Sequence, residues 1–147
     1  MTDADPRAQE FDYFKRVLAW TASVVTKMLH EQGRVEPQVF FVKMAEQTIA
    51  RVGVVTMPNG EAEKDRYLEL MQQIVALKNI DVSVYIREAS ERDTTRGVDA
   101  EIVMFHLMGK VFEATITARR CNDKPWLQTA ELGLSQMHPR GCTTVKH

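Results

Sequence analysis

The stretch that decides the fold of this chain is residues 98–120, VDAEIVMFHLMGKVFEATITARR. Two runs of alternating apolar and polar residues flank Gly109-Lys110, and such alternation is typical of half-buried β-strands. A glycine at the first of two loop positions favours a type II′ hairpin turn. A hairpin closed by this dipeptide would pair residues on one apolar face: Leu107 with Phe112, Phe105 with Ala114, and Val103 with Ile116.

The opposite face of the predicted hairpin has a mixed character. Its pairs would be Met108 with Val111, His106 with Glu113, Met104 with Thr115, and Ile102 with Thr117. The face is too apolar for bare solvent and too polar for a core, so either the C-terminal segment covers it or a partner does. We therefore predict an interaction surface that consists of Ile102, Met104, His106, Met108, Val111, Glu113 and Arg119.

Two amphipathic helices are predicted upstream of this hairpin, because apolar residues recur at three- and four-residue steps over 9–32 and 61–78. Gly33 suits a left-handed cap at the end of the first helix. The second helix has an apolar stripe that includes Tyr67, Leu70 and Ile74.

Three further strands are predicted over 38–45, 48–57 and 80–88, which are rich in β-branched and aromatic residues. Glu46-Gln47 would join the first two strands. With that two-residue loop, one face would hold Val39, Phe41, Val52 and Val54, and the other would hold Phe40, Val42, Met44, Ile49 and Arg51. Both faces are largely apolar, which predicts central strands that are covered on both sides.

Residues 123–138 fit either a helix or a strand, and a tail is expected from Pro139 onward. The complete order, α-β-β-α-β-β-β-(α or β), predicts an α+β fold with a five-stranded, mainly antiparallel sheet and helices packed on it. A chain of 147 residues is expected to form a single domain, 1–147, with a short disordered N-terminus and a loosely ordered C-terminal tail.

This element order resembles that of profilin-like and roadblock-type domains, if the last segment is a helix. The stretch 31–41, EQGRVEPQVFF, is also similar to short bacterial and phage proteins in which a helix, a glycine and a proline precede an apolar strand. The resemblances imply a fold and a bacterial or phage source. They imply no functional residue and no activity.

Composition and charge disfavour several classes of protein. The 19 Lys and Arg nearly cancel the 20 Asp and Glu, so a nucleic-acid-binding function is not expected. No apolar run approaches the roughly 20 residues of a membrane span, and the N-terminus lacks the features of a secretory signal. Two cysteines in the whole chain favour a reduced, cytoplasmic protein.

His106 beside Glu113 is the leading candidate for catalysis, since a carboxylate can orient an imidazole that acts as a general base. The common nucleotide, zincin and esterase motifs are missing, and we predict no cofactor. We also predict no metal site, because the close first pair of ligands typical of zinc sites is missing from the set Cys121, His138, Cys142 and His147.

Two functions are consistent with these features. The first is a non-catalytic module that binds a protein partner or forms a homodimer. One version is a small inhibitor or adaptor from a phage or mobile element that acts on a host complex. The alternative is a small hydrolase or lyase that uses His106 and Glu113, which requires a concave pocket around that pair. The lack of a full catalytic constellation favours the first function.

Overall fold

A computed structural model describes the fold over residues 5–57, 61–77, 79–93, 98–120, 127–129 and 132–140. Its elements in chain order are α1 (Pro6–Gln32), β1 (Gln38–Ala45), β2 (Thr48–Thr56), α2 (Glu61–Leu77), β3 (Val82–Asp93), β4 (Val98–Met108), β5 (Phe112–Arg120), β6 (Leu127–Thr129), a 3₁₀ turn (Leu134–Gln136) and β7 (His138–Pro139).

The α+β class is confirmed, but the predicted five-stranded sheet is wrong in its detail. The strands follow one another across the sheet in the order β2-β1-β3-β4-β5, and the two short strands β6 and β7 both pair with β5. All pairings are antiparallel. The extra strands come from the C-terminal segment, whose sequence fits a helix and a strand equally well.

The first helix begins and ends at capping residues. The Asp5 side chain accepts a hydrogen bond from the Arg7 backbone N–H at 3.0 Å, and Pro6 occupies the first helical turn. Gly33 adopts the left-handed conformation with φ 72° and donates its N–H to the Leu29 carbonyl. The predicted helix is thus confirmed, although the cap starts it at Pro6, three residues before the apolar periodicity does.

The main core lies between α1 and one face of the sheet. Antiparallel strands send alternate side chains to this face, and α1 supplies residues one turn apart. The side chains at the centre of this layer are at most 1% exposed: Phe14, Val17, Val25, Phe105, Leu107 and Ile116. A smaller cluster on the opposite face contains Val39, Phe41 and Met57. Among the described helices, none is long and apolar enough to cross a membrane.

The β1–β2 hairpin contains a bulge that changes the predicted faces. Glu46-Gln47 forms the expected loop, with Glu46 at φ 58°. Met44 then pairs with Ile49, but Lys43 pairs with Arg51, so Ala50 is an extra residue in β2.

The consequence is that β2 from Arg51 onward presents its side chains opposite to the prediction, whereas Ile49 keeps its predicted place opposite Met44. Val52 lies opposite Val42, and Val54 lies opposite Phe40. The prediction that both strands are central is wrong for β2, which pairs only with β1 among the described strands and has Val54 52% exposed.

The β4–β5 hairpin turns one residue later than predicted. The Gly109 N–H donates to the Phe112 carbonyl at 2.8 Å, so Lys110 and Val111 form the loop. Cross-strand partners therefore shift by two residues while each residue keeps its predicted face. On the face opposite α1 the pairs are Met108 with Glu113, His106 with Thr115, Met104 with Thr117 and Ile102 with Arg119.

Candidate functional site

Three neighbouring strands build the surface on which the predicted site residues lie. We call it the His106 face, and it is the side of β3, β4 and β5 that points away from α1. The register across these strands arranges it in three rows: Ser83, Met108 and Glu113; Tyr85, His106 and Thr115; Arg87, Met104 and Thr117.

The rows differ from a core in their exposure. Met104, His106 and Met108 are half-buried, whereas the flanking Thr115 and Thr117 are exposed. The same strands are fully buried on their other side, where Phe105 and Leu107 are 0% exposed. The His106 face is therefore a partly apolar surface on a rigid support.

The predicted interaction residues are only partly together. Met104, His106, Met108 and Glu113 belong to the His106 face. Ile102 and Arg119 continue the same side one row further, but Ile102 is only 6% exposed.

Val111 departs from the predicted surface more clearly. It lies in the turn outside the strands and is 47% exposed. Glu113 lies opposite Met108 in place of the predicted Val111, because Lys110 and Val111 form the loop.

The imidazole of His106 has a hydroxyl neighbour instead of the predicted carboxylate. Its Nδ1 lies 2.9 Å from Thr115 Oγ1. No hydrogen bond or ion pair joins it to Glu113 among the described residues. Burial lowers the pKa of His106 below its ordinary value of 6.5, and the Glu113 carboxylate opposes this effect more weakly. The ring is therefore neutral at neutral pH and can both donate and accept one hydrogen bond.

A cavity of about 570 Å³ lies away from His106, beside the edge hairpin. It is bounded by the β1–β2 hairpin, by α2 and by the segment before β3, and His106 and Glu113 are not among its lining residues. The concave pocket that the catalytic hypothesis requires is not this cavity.

A buried carboxylate that sequence analysis missed fixes the β4–β5 turn. Glu10 of α1 is 6% exposed. Its carboxylate accepts hydrogen bonds from the backbone N–H groups of Lys110 at 2.8 Å, Val111 at 3.1 Å and Phe112 at 2.9 Å. Such a ring of backbone donors is a typical site for an anion. The spacing to buried Phe14 and Val17 places Glu10 on the helix stripe that faces the core, which was the available signal.

The close approach of Glu10 also explains Gly109. A Cβ atom at this position would lie 2.7 Å from the Glu10 Cδ, so any side chain would collide with the carboxylate. Arg140 holds the other side of the turn, since its backbone N–H donates to the Val111 carbonyl and its Nη1 donates to the Gly109 carbonyl, both at 2.9 Å. The contact with Glu10 therefore explains the glycine at position 109, whereas the sequence analysis explained it by a type II′ turn.

Within the described ranges, no three His, Cys, Asp or Glu side chains are grouped as a metal site would require. Three members of the cysteine–histidine set, Cys121, Cys142 and His147, lie outside these ranges. His138 lies in β7 opposite Glu113.

Comparison with known proteins found no match among protein-family models, curated proteins or solved structures. The resemblance to profilin-like and roadblock-type domains required a helix as the last segment, whereas the described C-terminal residues form β6, a 3₁₀ turn and β7.

Proposed function

We propose that this protein is a non-catalytic interaction module that binds another protein, or a second copy of itself, through the His106 face. The observation that carries the proposal is the composition of this face. Tyr85, Arg87, Met104 and Met108 occupy adjacent positions, and none of them is fully buried. Tyr, Arg and Met are enriched at protein interfaces relative to other surfaces.

The support of this face favours binding by a preformed surface. β3 and β4 are paired on both sides, and their opposite face packs into the core under α1. The backbone of such strands has little freedom to lose on association, which lowers the entropic cost of binding. Met104 and Met108 add unbranched side chains that adapt to an irregular partner surface.

The biological setting is a finer part of the proposal. A small inhibitor or adaptor from a phage or mobile element, acting on a host complex in the cytoplasm, suits a small module of this kind. The small size of the chain supports this setting.

The test introduces a charge at the centre and at the exposed rim of the face. Met104→Glu and Thr117→Glu, whose positions lie opposite each other, should both weaken association because a partner must exclude water there. Ser23→Glu, on the exposed side of α1, is the matched control. Self-association is measured by sedimentation velocity, and partner capture by affinity purification with mass spectrometry.

Two results would decide the matter. Loss of association in both face variants, with native circular dichroism and an unaffected control, supports the proposal. Wild-type association by a folded Thr117→Glu variant contradicts it, and this variant keeps the test informative if Met104→Glu fails to fold.

The alternative of a small hydrolase or lyase has one observation in its favour, the His106–Thr115 hydrogen bond. A neutral imidazole that lies next to a hydroxyl can act as the general base that activates this hydroxyl as a nucleophile. Turnover of a simple ester that is abolished by His106→Gln and by Thr115→Val would support this alternative and overturn the interaction module as the sole function.

A further inference from the structure

The cavity beside the edge hairpin has the size and lining of a small-molecule site. Its volume of about 570 Å³ falls inside the usual range of roughly 300–1,000 Å³ for ligand pockets. The residues that bound it include Phe41, Ile74, Ile80, Gly53, Lys43 and Arg51. None of them belongs to the His106 face, so the inference is independent of the proposed function.

One wall of the cavity is formed by a residue of β2 that has no side chain, Gly53. Gly53 pairs directly with Phe41, and a Cβ atom built on it would meet no atom within 4 Å. The apolar stripe of α2 is partly open to solvent: Ile74, which lines the cavity, is 38% exposed, and Tyr67 and Leu70 on the same stripe are 39% and 47% exposed. Exposed apolar surface next to an open cavity is unfavourable unless something apolar enters it.

Two cations stand at the same cavity on the same side of the sheet. The bulge at Ala50 places Arg51 directly opposite Lys43 on the neighbouring strand. Like charges at directly opposed positions destabilise a sheet. Lys43 is partly compensated, because its Nζ donates to the Asn79 carbonyl at 2.9 Å and lies 3.9 Å from the Asp81 carboxylate.

Arg51 has no such compensation. It is exposed and makes no hydrogen bond or ion pair with any residue in the described part of the chain. An arginine guanidinium binds a carboxylate through two parallel hydrogen bonds. A ligand with a carboxylate head group presents the two oxygen acceptors that this geometry requires. The cations at the cavity therefore favour a ligand with an anionic group, and the apolar lining favours an apolar chain on the same ligand.

We propose that this cavity binds a free single-chain amphiphile with a carboxylate head, such as a medium-chain fatty acid. The apolar tail lies between Phe41, Ile74 and Ile80, and the carboxylate pairs with Arg51. Such a ligand covers the partly exposed Ile74 and relieves the repulsion between Lys43 and Arg51 in a single binding event.

The experiment titrates the 147-residue chain with decanoate, decanol and decyltrimethylammonium, each below its micelle-forming or solubility limit, by isothermal titration calorimetry. Decanoate should bind at least tenfold more tightly than the neutral or cationic analogue. Arg51→Gln should remove that preference, while Lys27→Gln on the exposed side of α1 serves as the matched control. Gly53→Val fills the space in a conformation that valine accepts, and it should abolish binding of all three probes.

Three outcomes of these titrations would overturn the inference. They are no measurable binding of decanoate, equal binding of all three probes, and decanoate binding that survives both Arg51→Gln and Gly53→Val. Co-sedimentation with phosphatidylglycerol vesicles in place of binding to dispersed decanoate would equally contradict a site for the free ligand.

Discussion

Glu10 is the single residue whose removal should disturb this structure most specifically. Its carboxylate satisfies three backbone donors of the β4–β5 turn from a position that is 6% exposed. We expect Glu10→Ala to lower the free energy of unfolding by about 2–3 kcal/mol, because hydrogen bonds to a charged group are lost and donors are left unpaired. Urea denaturation measures the change, with exposed Glu31→Ala as the control.

The same contact can be isolated with a second substitution. Gly109→Ala should be destabilising in the wild type, where the new methyl group meets the Glu10 carboxylate, and milder in the Glu10→Ala background. Equal effects in both backgrounds would show that the glycine is required for another reason.

His106 should make stability depend on pH. Because burial lowers its pKa from 6.5, the folded state binds fewer protons than the unfolded chain in the range just below that value. The contribution of His106 is therefore complete above about pH 6.5 and is lost as the pH falls through its folded-state pKa.

The pH effect is measured by urea denaturation at about pH 7.5 and pH 5.5. The difference in free energy of unfolding should shrink in His106→Gln and persist in His30→Gln, which removes an exposed imidazole of α1. Glu113→Gln should enlarge the difference, since its carboxylate opposes the lowered pKa. An unchanged difference in His106→Gln would contradict the assignment.

Among the elements, β4 carries more of the stability than the edge strand β2. Phe105 is 0% exposed between α1 and the sheet, whereas Val54 is 52% exposed. Phe105→Ala should cost about 3–5 kcal/mol, the usual range for a buried phenylalanine, and Val54→Ala should cost less than about 1 kcal/mol. Thermal or urea unfolding of the two variants tests the contrast. A small loss for Phe105→Ala would mean that the β4 face is assigned wrongly.

The elements were easier to predict from sequence than their pairing. Periodicity located both helices and the five long strands, since side-chain spacing is a local property. The turn at Lys110-Val111 was missed because it depends on Glu10, one hundred residues away, and the bulge at Ala50 has no local signal.

The candidate site was predictable to the same extent. The face of Met104, His106 and Met108 survives a register shift of two residues, because alternation along a strand is unchanged by it. The cross-strand partner of His106 changes with the register, so Thr115 lies opposite His106 in place of the predicted Glu113. The cavity near Arg51 could not be inferred, since it depends on the bulge and on where α2 lies.

The molecule as a whole has a net charge of −1, so few phosphate contacts could be formed without opposing repulsion. We expect no micromolar binding to duplex DNA at physiological salt, measured by fluorescence anisotropy. Tight and steeply salt-dependent binding would contradict this expectation and would indicate a basic patch that the net charge conceals.

The clamp around the β4–β5 turn has a consequence for the order of folding events. Glu10 reaches this turn across 100 residues, so its hydrogen bonds cannot form until distant parts of the chain have met. We expect this contact to form after the main folding barrier. The Glu10→Ala variant should therefore fold at nearly the wild-type rate and unfold faster, as stopped-flow kinetics would show. The β4–β5 turn would then be among the last parts of the molecule to become ordered during folding.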